Sequence, residues 1–253
     1  MIVQLNILFN VIGNKMKILG VIPARLASTR LQEKILLPIK GKPLLYYTAN
    51  QVGKAKYLDG FVIAADDKRI VQAMSDYPFD VILTSKNHKS GTDRVGEIAK
   101  KIKADVYINI QGDEPLIPVE NINKIAKFFL ENSKQEIVTL ASPLSPNEVK
   151  DPNNVKVVTA KNKKALYFSR SPIPYDRADL SPIYLKHIGI YGYTRNVLLK
   201  LISLKQTPLE KSEKLEQLRF LENGFRITVL KTNKNSIGVD TLEDFKKVKE
   251  ILS

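Results

Sequence analysis

The chain has no cysteine and only two histidines in 253 residues. Without thiols there can be no disulfide, thiolate metal site or cysteine nucleophile, and two imidazoles are too few for a histidine-rich metal centre. Any metal ion must therefore be held by oxygen. That favours a hard cation such as Mg²⁺, which usually takes one or two carboxylates together with substrate phosphates. Two nucleotide-binding signatures are missing as well. There is no Gly-x-x-x-x-Gly-Lys and no Gly-x-Gly-x-x-Gly, so neither a P-loop ATPase nor a dinucleotide-binding dehydrogenase is supported. Long apolar runs are also lacking. The short apolar stretch within residues 1–15 has no basic region before it and falls short of the roughly 20 residues that a membrane span needs. Met16, followed at once by an apolar run, is the expected natural start, with 1–15 a dispensable extension and 16–253 cytoplasmic, without a membrane partner.

With 43% hydrophobic and 26% charged residues, the composition is that of an ordinary soluble protein, long enough to bury a full core. The formal charge is +14. A nucleic-acid surface would give such a charge, but the lysines are spread along the whole length with no basic tail or recognition motif, and an anionic small substrate fits as well, so no nucleic-acid partner is expected.

Apolar runs at 18–22, 61–65, 81–83, 106–110 and 137–140 alternate with helical patterns at 43–54, 67–75, 92–103 and 118–132. Such alternation predicts βαβ units and an α/β, Rossmann-like, mainly parallel sheet. Pro43 fits the first turn of the first helix, and Thr92 is a plausible cap for the third. After about residue 141 the pattern loosens. Strands are expected near 155–159, 187–193 and 226–232, a helix over 209–223, and a last helix over 242–252 capped by Thr241. One domain, 16–253, is expected, with a nucleotide-binding half to about 141 and a sugar- or acceptor-binding half from about 142.

Chemistry concentrates at loops. Residues 22–34, IPARLASTRLQEK, place Arg25, Arg30 and Lys34 with Ser28 and Thr29 directly after the first strand. In open α/β sheets ligands bind beyond the strands' carboxyl ends, so the segment reads as a polyphosphate clamp; a solvated basic loop is the plainer alternative. Asp113, in Gln111-Gly112-Asp113-Glu114-Pro115 after the most apolar strand, suits a metal ligand, although Gly-Asp and Glu-Pro also form turns. Pro115 biases Glu114 towards an extended conformation. Asp240 precedes the last helix; folded back beside Asp113 it would complete an oxygen site of the kind used in nucleotidyl transfer, and otherwise it merely flanks that helix. Ser90 and the Gly91 backbone can approach a pyrimidine edge, and Arg94, one turn further, can reach phosphate. Arg170 suits a sugar carboxylate. His187 and Tyr191 share one face of a strand, with Ile188 and Ile190 towards the core; a structural histidine is the alternative.

Taken in order, IPARLASTRL, HKSGTDR, INIQGDEPLIP, NNVKVV, ALYFSRSPIPYDR, HIGIYGY, LEQLR and GVDTLEDF resemble the 3-deoxy-manno-octulosonate cytidylyltransferases from about Met16 to the C-terminus. The resemblance implies a fold of the nucleotide-diphospho-sugar transferase type and transfer of CMP from CTP to 3-deoxy-manno-octulosonate (Kdo) for lipopolysaccharide synthesis, by a homodimer. It implies that Arg25, Ser28, Thr29, Arg30 and Lys34 hold the CTP phosphates, with Ala24, Ser90 and Gly91 near the cytidine and Arg94 nearby. Gln111, Arg170, His187, Tyr191, Glu216 and Gln217 would bind Kdo, and Asp113 and Asp240 would ligate Mg²⁺. Arg25, Lys34, Asp113 and Asp240 would be the catalytic group.

The chain departs from the family pattern in three places. Gln32-Glu33 stands where Pro-Gly is usual, the segment between Arg177 and His187 is short, and Ala65 replaces a frequent threonine. A CMP-sialic acid synthetase would share fold and CTP, but its first loop is Gly- and Ser-rich where this chain has Leu26-Ala27.

Overall fold

The computed structural model describes residues 16–28 and 30–253. The expected extension 1–15 and Thr29 lie outside the described residues. The chain runs β1 (Ile18–Ala24), β2 (Pro38–Ile39), β3 (Lys42–Pro43), α1 (Leu44–Val52), β4 (Gly60–Ala65), α2 (Lys68–Met74), β5 (Val81–Leu83), α3 (Gly91–Lys101), β6 (Val106–Asn109) and α4 (Val119–Glu131). It continues through β7 (Ile137–Pro143), β8 (Lys156–Thr159), β9 (Ala165–Ser169), β10 (Leu185–Thr194), α5 (Arg195–Leu201), α6 (Pro208–Glu213), α7 (Glu216–Glu222), β11 (Ile227–Lys231) and α8 (Leu242–Leu252).

One sheet carries the order β11-β7-β10-β6-β1-β4-β5, with β8 and β9 attached beside β10. Along that path only β10 runs against its neighbours, pairing antiparallel with both β6 and β7. Alternation explains the layers. Ile18, Ile22 and Ala24 of β1 pack with α1, α2 and α4 on one face, while Leu19 and Val21 pack with α3 and α5 on the other. Strands buried on both faces read as continuous apolar runs, which is how β1, β4 and β6 look in the sequence. The α/β, mainly parallel expectation is met.

Three local expectations need correction. Pro43 ends β3 and precedes α1, with an extended ψ of 149°, and so is not in the helix's first turn. The cap of α3 is Ser90: it is extended and its Oγ accepts the Asp93 N–H at 3.1 Å, leaving Thr92 inside the helix. The helix expected over 209–223 is two, because Lys214 adopts a left-handed conformation with φ 54° between α6 and α7. A capping box of Thr207 and Glu210 starts α6.

Candidate active site

Beyond β1 the strand order splits, with β4 on one side and β6 on the other, the type of crevice where open α/β sheets hold ligands. A cavity of about 240 Å³ opens there, lined by Arg25, Lys34, Ser90, Gly91, Gln111 and Asp113 among others. The two strand ends meet closely: a Cβ on Gly112 would lie 2.9 Å from the Pro23 carbonyl oxygen, so only glycine permits the approach. Thr48 secures the turn by donating to the Gly112 carbonyl at 2.9 Å. A larger, more apolar groove of about 670 Å³ runs beside α4 and β11, but none of the residues singled out for chemistry lines it.

Lys34 is the centre of charge in this crevice. Its side chain is only 8% exposed, and its Nζ lies 2.5 Å from Asp113 Oδ2 and 2.8 Å from Asp240 Oδ1. Burial alone would lower its pKa, but Asp113 and then Asp240 outweigh that and raise it above the ordinary lysine value. Arg30 Nη2 reaches the other Asp240 oxygen at 3.0 Å. Asp240 arrives here because α8 packs on β2 and the start of α1, through Val248, Phe245, Ile39 and Leu44. The Val239 N–H then donates to the Asp113 carbonyl at 2.9 Å. Two carboxylates thus address one point, and no group of three or more His, Cys, Asp or Glu side chains suited to a metal occurs among the described residues. A pair of hard oxygen donors beside a phosphate cavity fits Mg²⁺, which completes its shell with phosphate and water.

The cationic loop is held from below. Arg94, expected to reach phosphate, is turned inward although it borders the cavity. It donates to Thr84 Oγ1 at 2.6 Å and to the Ser85 carbonyl at 3.0 Å, and pairs with Asp66 Oδ2 at 3.5 Å. Asp66 Oδ1 accepts the Leu26 N–H at 2.9 Å. Arg94 thus supports the loop that carries Arg25 while still lining the cavity. Asp66 has no motif signal of its own, only a place after β4. Ala24 is buried at the end of β1, and Ser28 lines a neighbouring cavity that it shares with Arg25. Glu33 adopts φ 48°, a left-handed conformation unusual for a residue with a side chain, and pairs with Arg69 Nη1 at 2.7 Å.

Because β10 is antiparallel, its beginning lies at the carboxyl edge of the other strands, with His187 opposite Ala141 of β7. A bulge between Ile188 and Tyr191 adds two residues and so keeps the alternation. Ile188 and Ile190 join one core and Tyr191 the other. The His187 ring stands 5.3 Å from Tyr191 and edge-on to Phe168 at 5.1 Å, and Tyr191 stacks on Tyr193 at 5.6 Å. Burial lowers His187 to about 3. Thr139 donates its hydroxyl to the Ile190 carbonyl at 2.8 Å, so His187 Nε2, 3.2 Å away, is the donor in their contact.

Glu216, at the start of α7, accepts from Thr92 of α3 at 2.5 Å and from Arg219 at 2.6 Å; burial raises its pKa. Gln111 lines the cavity opposite Gly91, whose Cβ would lie 3.5 Å from Gln111 Nε2. Arg170 lies apart, donating Nε to the Glu213 carbonyl at 2.8 Å and Nη1 to the Pro152 carbonyl at 2.9 Å. Tyr191 Oη and Gln217 Nε2 are buried without a hydrogen-bond partner. So is Glu114 Oε2, next to Asp113; burial first and the Asp113 charge second push its carboxyl up to about 7.

Residues 19–232 match the family model described as cytidylyltransferase. Two 3-deoxy-manno-octulosonate cytidylyltransferases are each 47% identical: that of Fusobacterium nucleatum over 92% of this chain and 96% of its own, and that of Chloroherpeton thalassium over 94% and 98%. A solved CMP:2-keto-3-deoxy-manno-octonic acid synthetase complexed with CTP superposes with a TM-score of 0.90 at 38% identity, covering 93% of this chain and 98% of that one. A glucose-1-phosphate thymidylyltransferase from Bacillus anthracis, 17% identical with a TM-score of 0.66, shares the fold. Fold and crevice define a nucleotidyltransferase of the nucleotide-diphospho-sugar transferase type. Within that class, the chain belongs to the 3-deoxy-manno-octulosonate cytidylyltransferase family.

Proposed function

We propose that the protein transfers CMP from CTP to Kdo, forming CMP-Kdo and pyrophosphate for lipopolysaccharide synthesis in the cytoplasm. The observation that carries this reading is Lys34 held between Asp113 and Asp240 at the rim of the cavity lined by Arg25, Ser90 and Gly91. The anomeric hydroxyl oxygen of Kdo bonds to the α-phosphorus and loses its proton. The bond from that phosphorus to the bridging oxygen breaks, and its electron pair leaves with pyrophosphate. Arg25, Arg30 and Lys34 meet the phosphate charge, while Ser90 and the Gly91 backbone border the cytidine. Asp113 and Asp240 would hold Mg²⁺, which supplies charge neutralisation on the phosphates. His187, neutral at working pH and with its Nε2 proton given to Thr139, offers Nδ1 as a hydrogen-bond acceptor on the sugar side, and the unpartnered Tyr191 Oη and Gln217 Nε2 are free to bind hydroxyls. Holding two reactants in line and neutralising charge supply most of the rate in such transfers.

The acceptor half also carries the surface for a second copy. Leu166 in β9 and Tyr175, Leu180 and Ile183 in the segment between β9 and β10 are 62–86% exposed, and apolar side chains exposed over this short stretch suit an isologous dimer contact. Sedimentation of the wild type against Leu180→Asp tests it: a dimer that dissociates in the variant is expected, and a monomeric wild type would refute the assembly. The activity is tested by pyrophosphate release over a panel of nucleoside triphosphates and keto-acid sugars with Mg²⁺ varied. CTP with Kdo should dominate, and preference for sialic acid would overturn the reading.

A further inference from the structure

We propose that Arg69 is a positioning residue for the nucleotide transfer: its ion pair with Glu33 holds the cationic loop in a left-handed turn directly before Lys34. Glu33 has φ 48° and ψ 30°, a backbone conformation open to glycine but disfavoured for a residue with a side chain. Such conformations persist where surrounding contacts hold them. The helical turn that follows, Lys34–Leu36, starts from this residue, since the Glu33 carbonyl accepts the Leu36 N–H at 2.8 Å. Ile35 of that turn is buried in the core, while the Lys34 side chain reaches Asp113 and Asp240. A change in the Glu33 backbone would therefore redirect the ammonium.

The contacts that hold Glu33 come from the junction of β4 and α2. Arg69 Nη1 lies 2.7 Å from Glu33 Oε1, with both side chains at least half exposed. A surface ion pair is usually worth little, because two long side chains must be ordered to make it. Here one is already ordered. Asp67 accepts from Arg69 Nε at 3.2 Å and from the Arg69 backbone N–H at 3.0 Å, and it is fixed in turn by capping α2 and by Lys86 Nζ at 2.9 Å. The same junction ties the other end of the loop, where Asp66 Oδ1 accepts the Leu26 N–H at 2.9 Å. Residues 26–33 are thus anchored at both ends on the short stretch 66–69, which sets the direction in which the loop enters the crevice. Arg69 also lines a cavity of about 580 Å³ together with Arg25 and Ser28. Direct contact with phosphate is therefore the rival role to be separated.

The inference rests on the proposed CMP transfer. Wild-type pyrophosphate release from CTP and Kdo is therefore the control: its absence would sink the activity, whereas Arg69 is judged by variants against that control. Glu33→Ala and Glu33→Gly both remove the ion pair, but only alanine keeps a Cβ in the left-handed turn. Glu33→Ala should lower kcat/KM for CTP roughly three- to tenfold, with the Kdo KM and Tm nearly unchanged, while Glu33→Gly stays within about twofold of wild type. Arg69→Ala should match Glu33→Ala. Adding Glu33→Gly to Arg69→Ala should restore kcat/KM, because glycine takes the turn without the pair. Equal values for Glu33→Ala and Glu33→Gly, whether normal or impaired, would overturn the proposal. So would a loss in Arg69→Ala that Glu33→Gly does not relieve, since that would put Arg69 on the phosphates directly. A Kdo KM raised as much as the CTP KM, or a fall in Tm that accounts for the lost activity, would also refute it, as either marks a general structural role.

Discussion

Lys34 and Asp240 are 206 positions apart in the sequence and 2.8 Å apart in space. The contact joins the first loop of the protein to the start of its last helix, and Asp113 shares the same ammonium at 2.5 Å. The Lys34 ammonium and the Arg30 guanidinium on Asp240 together offset the two carboxylate charges.

That relationship makes Asp113 and Asp240 interdependent. Asp113→Asn or Asp240→Asn should lower turnover by about a hundredfold or more, the order of effect of losing a key electrostatic group. The measurement is pyrophosphate release over a wide Mg²⁺ range. Near-normal turnover of either variant at saturating Mg²⁺ would take that residue out of the metal site.

Arg94 should behave as a support, not as a phosphate contact. Its removal leaves Asp66 buried and unpaired, which for a broken buried pair costs at least about 3 kcal/mol and should lower Tm by roughly 6–12 °C. The CTP KM should rise as well, because Asp66 holds the Leu26 N–H. A variant with normal Tm and a raised CTP KM would restore the direct phosphate contact.

Arg170 is expected to bind the Kdo carboxylate with the donors left after Glu213 and Pro152 have taken two. Arg170→Ala should raise the sugar KM roughly ten- to a hundredfold, with the CTP KM nearly unchanged, as the loss of a charge-assisted pair predicts. Arg170→Lys should recover little, since an ammonium lacks the fork. An effect on CTP alone would show that the residue does not belong to the sugar side.

His187 predicts a pH dependence of stability. Its folded pKa of about 3 lies below the ordinary 6.5, so between these values the unfolded chain binds a proton that the folded protein refuses. Stability must therefore fall as pH drops through this window, by up to about 1.4 kcal/mol per unit from this group. Urea unfolding of wild type and His187→Asn at pH 7, 6 and 5 reads the effect. The variant should show the shallower loss, and parallel curves would show that the imidazole is solvated.

The sheet was legible because its pattern is local. Ile18, Leu19, Val21 and Ile22 are apolar on both parities, which can only be satisfied between two helical layers. The clamp was legible for a similar reason: Arg25 and Lys34 follow β1 directly, and the carboxyl edge of a parallel strand is where its loop must go. Caps and breaks were less so. Ser90 and Thr92 are equally good cap residues by type, and the choice fell to Ser90 once Thr92 was drawn to Glu216 of α7. Nothing between 209 and 223 marks Lys214 as the break, because its left-handed backbone depends on how α6 and α7 pack.

By itself, the sequence determined the class of sheet, the cationic loop on its edge and the family, since these depend on residue type and near neighbours in the chain. Only the tertiary structure decided that Arg94 turns inward and that Asp113 and Asp240 meet on one lysine. Those facts depend on which distant segments close against each other, and that is set by the packing of α8 and β10 onto the rest of the fold.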